Sequence, residues 1–437
     1  MLSKKYINNI SGLQVFQLLR FGTLLLISIV FTKSSVTTSS IGDYEAFLFV
    51  TALVCSFWIN GLIQSFLPLF KSNTTFQKGQ EKSPEIYNVF LLISGLSVLV
   101  IVVLLLFKNL LSGILTDNGT IPFFHFLLLY IFFSSPSYLI EYIYLLKNKA
   151  GWILKYGFIT FGIQFILISA PAFWGVGMQM SIVGLVSISV IRYIWLLFLL
   201  KKYARFTSSA TFIKEHLHLA YPLIISSLLG GSAQFVDGFL VLNKFDTATF
   251  AIFRYGAKEF PLVLLMANAL STAMISEFSI KEKIGEALKL LRQKSAQLMH
   301  LLFPVTILFI IFSHWLYPRI FNENFTESAV IFNLYLLLII SRLVFPHTVL
   351  IGLKKTRIVM YASLAELVVN VILSVTFIHF WGIEGVAFAT FIAFATQKTI
   401  WVIYNKKVLH ISPKQYIPIT MLVVYSFLTL TAFYFMY

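Results

Sequence analysis

Ten charged residues stand inside stretches of this chain that are otherwise almost wholly apolar. The bases are Arg20, Arg192, Arg254, Lys258, Arg342 and Lys398, and the acids are Glu141, Asp237, Glu259 and Glu366. A charge at the centre of a bilayer costs about 2.5–3.5 kcal/mol even on the lenient insertion scale. Residues of this kind must face a wet cavity, pair with an opposite charge, or lie close enough to an interface to snorkel. Counted from the ends of the apolar runs, Arg192, Lys258 and Lys398 fall near mid-span, with Arg342 somewhat deeper than Arg20. Arg20 lies about two turns in and suits either a cavity or a snorkel. Arg254 precedes Lys258 by four residues, so a continuous helix there puts both on one face. Asp237 is placed to pair with Arg254 across a short loop.

The sign of the surplus indicates a chemistry. Six bases against four acids leave a positive interior, which suits an anion, and guanidinium groups suit phosphate through paired hydrogen bonds. Arg254, Lys258, Arg192, Lys398, Arg342 and Arg20 are therefore the candidate substrate-binding residues. For Glu141 and Glu366 the plainer role is an internal ion pair or a protonated buried carboxyl. Together with Asp237 they are also the candidates for proton or cation coupling. Nothing points to covalent catalysis. The single cysteine, Cys55, sits in an apolar run with no Cys/His pattern for a metal. There is no Gly-rich phosphate loop ending in Lys-Ser/Thr, so ATP hydrolysis, a cofactor and a catalytic residue are not expected.

These residues have to be held by membrane-spanning elements. Of the 437 residues 58% are hydrophobic and 11% charged, against about 45–50% apolar and 25% charged in a soluble domain. Segments long enough to cross a bilayer fall at 13–32, 44–70, 87–107, 121–146, 152–174, 180–200, 217–243, 247–277, 294–317, 327–352, 358–380, 384–404 and 415–437. Lys4 and Lys5 before an apolar stretch imitate a signal peptide. That stretch is too long and lacks a small-residue cleavage site, so it reads as the first span.

With the N-terminus in the cytoplasm, the inner loops hold 23 Lys and Arg and the outer loops four, namely Lys33, Lys108, Lys244 and Arg319. That bias sets the orientation and explains the net charge of +16 without a nucleic-acid partner. Every loop is short, and none could house a soluble catalytic domain.

The chain also repeats itself. Trp174-Gly-Val-Gly answers Trp381-Gly-Ile-Glu-Gly, Tyr156 answers Tyr361, Lys201-Lys202 answers Lys406-Lys407, and Arg192 answers Lys398, all offset by 205 to 207 residues. Six spans on each side of residue 213 make a parallel duplication, an arrangement transporters use to place a substrate site between halves. The expected divisions are 1–213, 214–410 and an additional transmembrane helix in 411–437.

Three stretches carry a family resemblance: Tyr221-Pro222 opening the seventh span, the run from Asp237-Gly238 to Tyr255-Gly256, and Gly382-Ile-Glu-Gly-Val-Ala-Phe-Ala-Thr390. The last is similar to the Gly-x-x-Gly-Ala-Ala-x-Ala-Thr pattern at the twelfth helix of the multidrug/oligosaccharidyl-lipid/polysaccharide (MOP) exporter superfamily. Glu384 departs from the commonest residue there. Over most of residues 10–410 the chain resembles the polysaccharide and O-antigen flippases of that superfamily. The resemblance implies an all-α polytopic membrane protein of two six-helix bundles in a MATE-like V. It also implies an alternating-access flippase that is not an enzyme. Its cargo would be a polyprenyl-pyrophosphate-linked oligosaccharide, moved from the cytoplasmic to the outer leaflet of the bacterial inner membrane. The implied partners are the lipid-linked anionic glycan, membrane lipids and glycan polymerase machinery.

Two rivals remain at this stage. A cation-coupled multidrug exporter of the same fold would want an acidic interior. A membrane glycan polymerase or ligase would want a sizeable outer loop.

Overall fold

A backbone in hydrocarbon finds no water to bond with, so an apolar crossing segment must satisfy its own amides, and a helix does so. The computed structural model describes residues 9–72, 82–116, 119–258, 261–278, 284–353 and 355–437. Glu259 lies outside them. Among the described residues the chain is all-α, with one isolated bridge between Ser83 and Ala204 in place of any strand.

In chain order the helices are α1 (Asn9–Lys33), α2 (Thr38–Ser72), α3 (Pro84–Leu106), α4 (Lys108–Leu115), α5 (Phe124–Ser137), α6 (Leu139–Leu146), α7 (Ala150–Phe173), α8 (Met178–Tyr203) and α9 (Ala210–Lys244). There follow α10 (Thr247–Gly256), α11 (Pro261–Glu277), α12 (Ile284–Ile320), α13 (Thr326–Leu336), α14 (Ile339–Arg342), α15 (Pro346–Gly352), α16 (Thr356–Lys407), α17 (Pro413–Tyr416) and α18 (Ile419–Met436). Each of the thirteen expected segments falls on one of these helices or on a broken run of them. Ten stretches among the described residues are long and apolar enough to cross a bilayer.

Several crossings are interrupted, and the interruptions have local causes. α16 has 52 residues, about 78 Å of helix at 1.5 Å per residue, against a hydrocarbon core of about 30 Å. It turns back at Trp381 (φ −128°, ψ 15°) and Gly382 (φ 55°, ψ −135°), the second a conformation open to glycine. Three residues on, a Cβ at Gly385 would stand 2.4 Å from the Phe377 carbonyl oxygen. The Gly-x-x-Gly motif is thus first of all the hinge of a helical hairpin. The run 327–352 breaks after Arg342, because Pro346 has no N–H to give and restricts the residue before it.

The expected continuous helix 247–277 is corrected: α10 stops at Gly256 and α11 begins at Pro261. Gly256 is pressed against the Ser328 carbonyl, where a Cβ would approach to 2.5 Å. Lys258 therefore lies beyond the helix that carries Arg254, and the shared-face argument for the pair does not hold.

The chain packs as two compact units, Met1–Gly231 with Leu242–Ala251, and Ser232–Val241 with Ile252–Tyr437. In the first, α1 lies on α7, and α8 packs between α7 and α5. Phe16 stacks on Tyr156 with ring centroids 5.9 Å apart. In the second, α12 packs on α13 and α18, and α15 on α16, around a core that includes Met299, Phe303, Leu343, Phe345 and Tyr416. The last helix is part of this unit: the Tyr425 ring stacks 5.1 Å from Phe303, and its hydroxyl is 2.8 Å from His300 Nδ1. Much of the remaining apolar surface is exposed, including Leu99, Leu105 and Leu106 on α3, as expected where lipid is the solvent.

Candidate functional site

Among the described residues three polar clusters interrupt the apolar interior, one in the first unit and two in the second. The first gathers side chains from α1, α5, α6, α7 and α8. Arg20 Nη2 donates to the Tyr138 hydroxyl at 2.8 Å, and its guanidinium carbon lies 5.2 Å from that ring's centroid. Tyr138 occupies the joint between α5 and α6, where the helix loosens just after Pro136. Arg192 Nη2 donates to Gln164 Oε1 at 2.7 Å, and its guanidinium stands 5.1 Å over Phe161. Its buried Nε has no hydrogen-bond partner. Glu141, 5% exposed, interacts electrostatically with both Arg20 and Arg192. Tyr130 feels the same two cations. Two guanidiniums around one carboxylate leave a positive surplus with hydrogen-bonding capacity still unspent on Arg192.

The second unit divides its charges between two places. Lys398, 9% exposed, donates from Nζ to the Val344 carbonyl at 3.0 Å and lies 5.3 Å from the Trp401 ring. That carbonyl falls in the break between α14 and α15, so the ammonium satisfies an acceptor that the broken helix leaves over. Glu366 accepts a hydrogen bond from Gln397 Nε2 and interacts electrostatically with Arg342 and Lys398. Arg342 stacks 4.4 Å over Phe394. His347 Nε2 is 3.1 Å from Ser271 Oγ.

Asp237, which also interacts electrostatically with Glu366, sits in a cage of neutral donors. Tyr335 donates to it at 2.8 Å, Asn370 Nδ2 at 3.3 Å, and Thr390 through a short bond. Asn370 Nδ2 is also 3.0 Å from Thr390 Oγ1, while the buried Asn370 Oδ1 has no partner. Asp237 and Thr390 belong to two of the motif stretches singled out in the sequence, and the fold brings them into contact.

Arg254 is half-buried near the end of α10. Lys258 places its ammonium 4.4 Å over the Tyr255 ring, which in turn stacks 4.7 Å from Phe325. Of the sequence-derived candidates, the structure brings together Arg20, Arg192 and Glu141, and separately Arg342, Lys398 and Glu366.

Sequence reasoning passed over Tyr138, Gln164, Asn370, Thr390, Tyr335 and His347. One signal was available: Gln164 and Asn370 stand 206 residues apart, at the offset of the repeat, and each is a polar amide inside a span. No group of three or more His, Cys, Asp or Glu side chains suited to a metal occurs among the described residues.

Residues 53–330 match the family model described as "Polysaccharide biosynthesis protein". No curated protein sequence matches. Among solved structures the chain is similar to a lipid II flippase, MurJ, in an inward closed conformation, with TM-score 0.68, 19% identity, and coverage of 96% of this chain and 92% of that one. It is also similar to an inward-facing multidrug resistance MATE family transporter of the MOP superfamily, with TM-score 0.59, 13% identity, and coverage of 88% and 94%. A Vibrio cholerae MATE transporter gives TM-score 0.58, 13% identity, and coverage of 93% and 98%. At these identities the likeness bears on the fold, which is that of MATE and MurJ.

Proposed function

Because this chain belongs to the polysaccharide biosynthesis protein family, whose model spans more than half of it, we propose that it is an alternating-access flippase for a polyprenyl-pyrophosphate-linked oligosaccharide. The cargo, an O-antigen or other polysaccharide precursor, moves from the cytoplasmic to the outer leaflet of the inner membrane, and the N-terminus is cytoplasmic. The observation that carries this reading is the first-unit cluster. Arg192 and Arg20 outnumber Glu141, and the buried Nε of Arg192 still has a hydrogen bond to give. A phosphate oxygen is the acceptor such a group is built for. An organic cation would be repelled there, which places the drug exporter second.

Arg20 and Arg192 hold the pyrophosphate. Arg254, Lys258 and Arg342 add long-range attraction, and Lys398 acts chiefly through the backbone it braces. Glu141 and Glu366 serve as internal counter-charges. Asp237 is the coupling residue: its carboxylate, the orphaned Asn370 Oδ1 and Thr390 Oγ1 form an oxygen-rich nest suited to a proton or a hard monovalent cation. No step of transport breaks or makes a covalent bond, so the protein acts without a catalytic residue and hands its cargo to glycan polymerase machinery.

The test is translocation of a fluorescent polyprenyl-pyrophosphate oligosaccharide in proteoliposomes, read as loss of accessibility to an external enzyme. Protein-dependent flipping that vanishes in Arg20→Ala/Arg192→Ala supports the reading. Full flipping by that variant, or efflux of organic cations in place of flipping, overturns it.

A further inference from the structure

Sharing no residue with the polar clusters, the second unit has a cavity of about 440 Å³ where α12 meets the start of α18, lined by Lys289, Arg292, Gln293, Ala296, Pro418, Thr420 and Met421. Its volume lies in the range of small-ligand sites. Lys289 and Arg292 are three residues apart on α12, so they project from one face, and both are exposed. No carboxylate lines the cavity, so two like charges share one wall without a counter-ion among the lining side chains.

Position adds the second constraint. α12 has 37 residues, about 56 Å of helix, which exceeds a hydrocarbon core of about 30 Å. Its first turns therefore extend past the apolar layer, on the side where the basic loops collect. α18 begins at the same level and runs back into the bilayer, with Val423, Val424 and Phe427 exposed at 60%, 51% and 68%. A basic pocket opening onto a bare apolar helix face matches a molecule with an anionic head and hydrocarbon tails. Basic pockets between spanning helices are a recognised means of holding such headgroups.

We propose that this cavity binds the headgroup of an anionic phospholipid, with the acyl chains lying along α18. The lipid would act as a stay between α12 and the last helix. Its lining includes none of the charged residues assigned to transport, so the proposal stands independently of the transported cargo.

The experiment uses the full chain purified in detergent and exposed to an equimolar mixture of phosphatidylglycerol and phosphatidylcholine, with bound lipid counted by native mass spectrometry. Wild-type protein is expected to retain phosphatidylglycerol preferentially. Lys289→Ala/Arg292→Ala should weaken that retention about thirtyfold, each base near an anionic lipid surface being worth about 1 kcal/mol and 1.4 kcal/mol a factor of ten. Ala296→Phe, which fills the cavity and leaves both charges, should also lose the preference. Lys406→Ala/Lys407→Ala, which removes two bases elsewhere, should not. Equal retention of the two lipids by wild type, or unchanged preference in both the charge and the filling variants, overturns the proposal. Retention lost equally in the Lys406/Lys407 variant reduces it to general surface charge and overturns it too. Inorganic phosphate alone raising the melting temperature as much as phosphatidylglycerol would replace the lipid with a free anion.

Discussion

The two units answer the same problem, buried charge in a greasy interior, in different ways. In the first unit the contacts of Arg20 and Arg192 among the described residues are with side chains: a phenol, an amide oxygen, two aromatic faces and the shared carboxylate of Glu141. In the second, Lys398 is tied to a backbone carbonyl, and Asp237 is enclosed by three neutral donors. Arg192 and Lys398 stand 206 residues apart, at the offset of the sequence repeat, yet one bonds a side-chain amide oxygen and the other a carbonyl left over by a broken helix. Under the proposed function, the first of these places serves binding and the second braces the backbone. What decides is whether the neighbouring chain leaves an acceptor to be satisfied.

The largest effect expected from this contrast is on transport. Arg20→Ala/Arg192→Ala should lower flipping by two orders of magnitude or more, since hydrogen bonds to charged groups contribute about 1.5–3 kcal/mol each. Flipping is scored per folded molecule, because Glu141 loses both neighbouring cations in this variant and the fold is expected to weaken as well. A large loss of stability in place of activity would erase the difference between the units.

Asp237→Asn keeps the size of the side chain and removes its charge. Flipping in proteoliposomes should become insensitive to an imposed proton or sodium gradient, with folding nearly unchanged. Retained gradient dependence would move coupling away from this cage.

Lys398→Ala should do the reverse of the arginine pair. It leaves the Val344 carbonyl without its partner, a cost of about 1–3 kcal/mol, seen as a lower melting temperature, while flipping per folded molecule persists. A stable variant that no longer flips would return Lys398 to the substrate.

The smallest effect concerns the turn ahead of α10. The Asp246 carboxylate accepts from the Thr249 amide at 2.7 Å, and this bond holds its pKa below the usual carboxylate range. A carboxyl depressed in the folded state contributes stability above its unfolded pKa and loses it as the pH falls through the folded value. Asp246→Ala should cost about 1 kcal/mol at neutral pH and nothing in strong acid, in thermal melts across the acid range. An unchanged neutral melt would remove Asp246 as the anchor of the helix that carries Arg254.

The spans were legible because an unbroken apolar run of about 20 residues suits a bilayer crossing and little else. The hairpin at Trp381–Gly382 was legible as a motif, although its first meaning is conformational. The break before Pro261 stood in the sequence as a proline but was outweighed by the apolar run around it. Hence Lys258 was wrongly given a place on the helix of Arg254. Asp237 was read as a neighbour of Arg254 because the two are close in sequence. Its hydrogen-bond partners Tyr335, Asn370 and Thr390 stand 98, 133 and 153 residues away.

By itself, then, the sequence determined that this is an all-α polytopic membrane protein, which of its residues are charged in an apolar setting, and that bases outnumber acids there. These follow from composition and from the cost of exposing backbone and charge to lipid, both of which act locally along the chain. Only the tertiary structure decided which of those charges are already satisfied. A buried cation looks the same in sequence whether its acceptor is a distant side chain, a carbonyl freed by a helix break, or a ligand still to come. The geometry of the folded neighbours distinguishes the three.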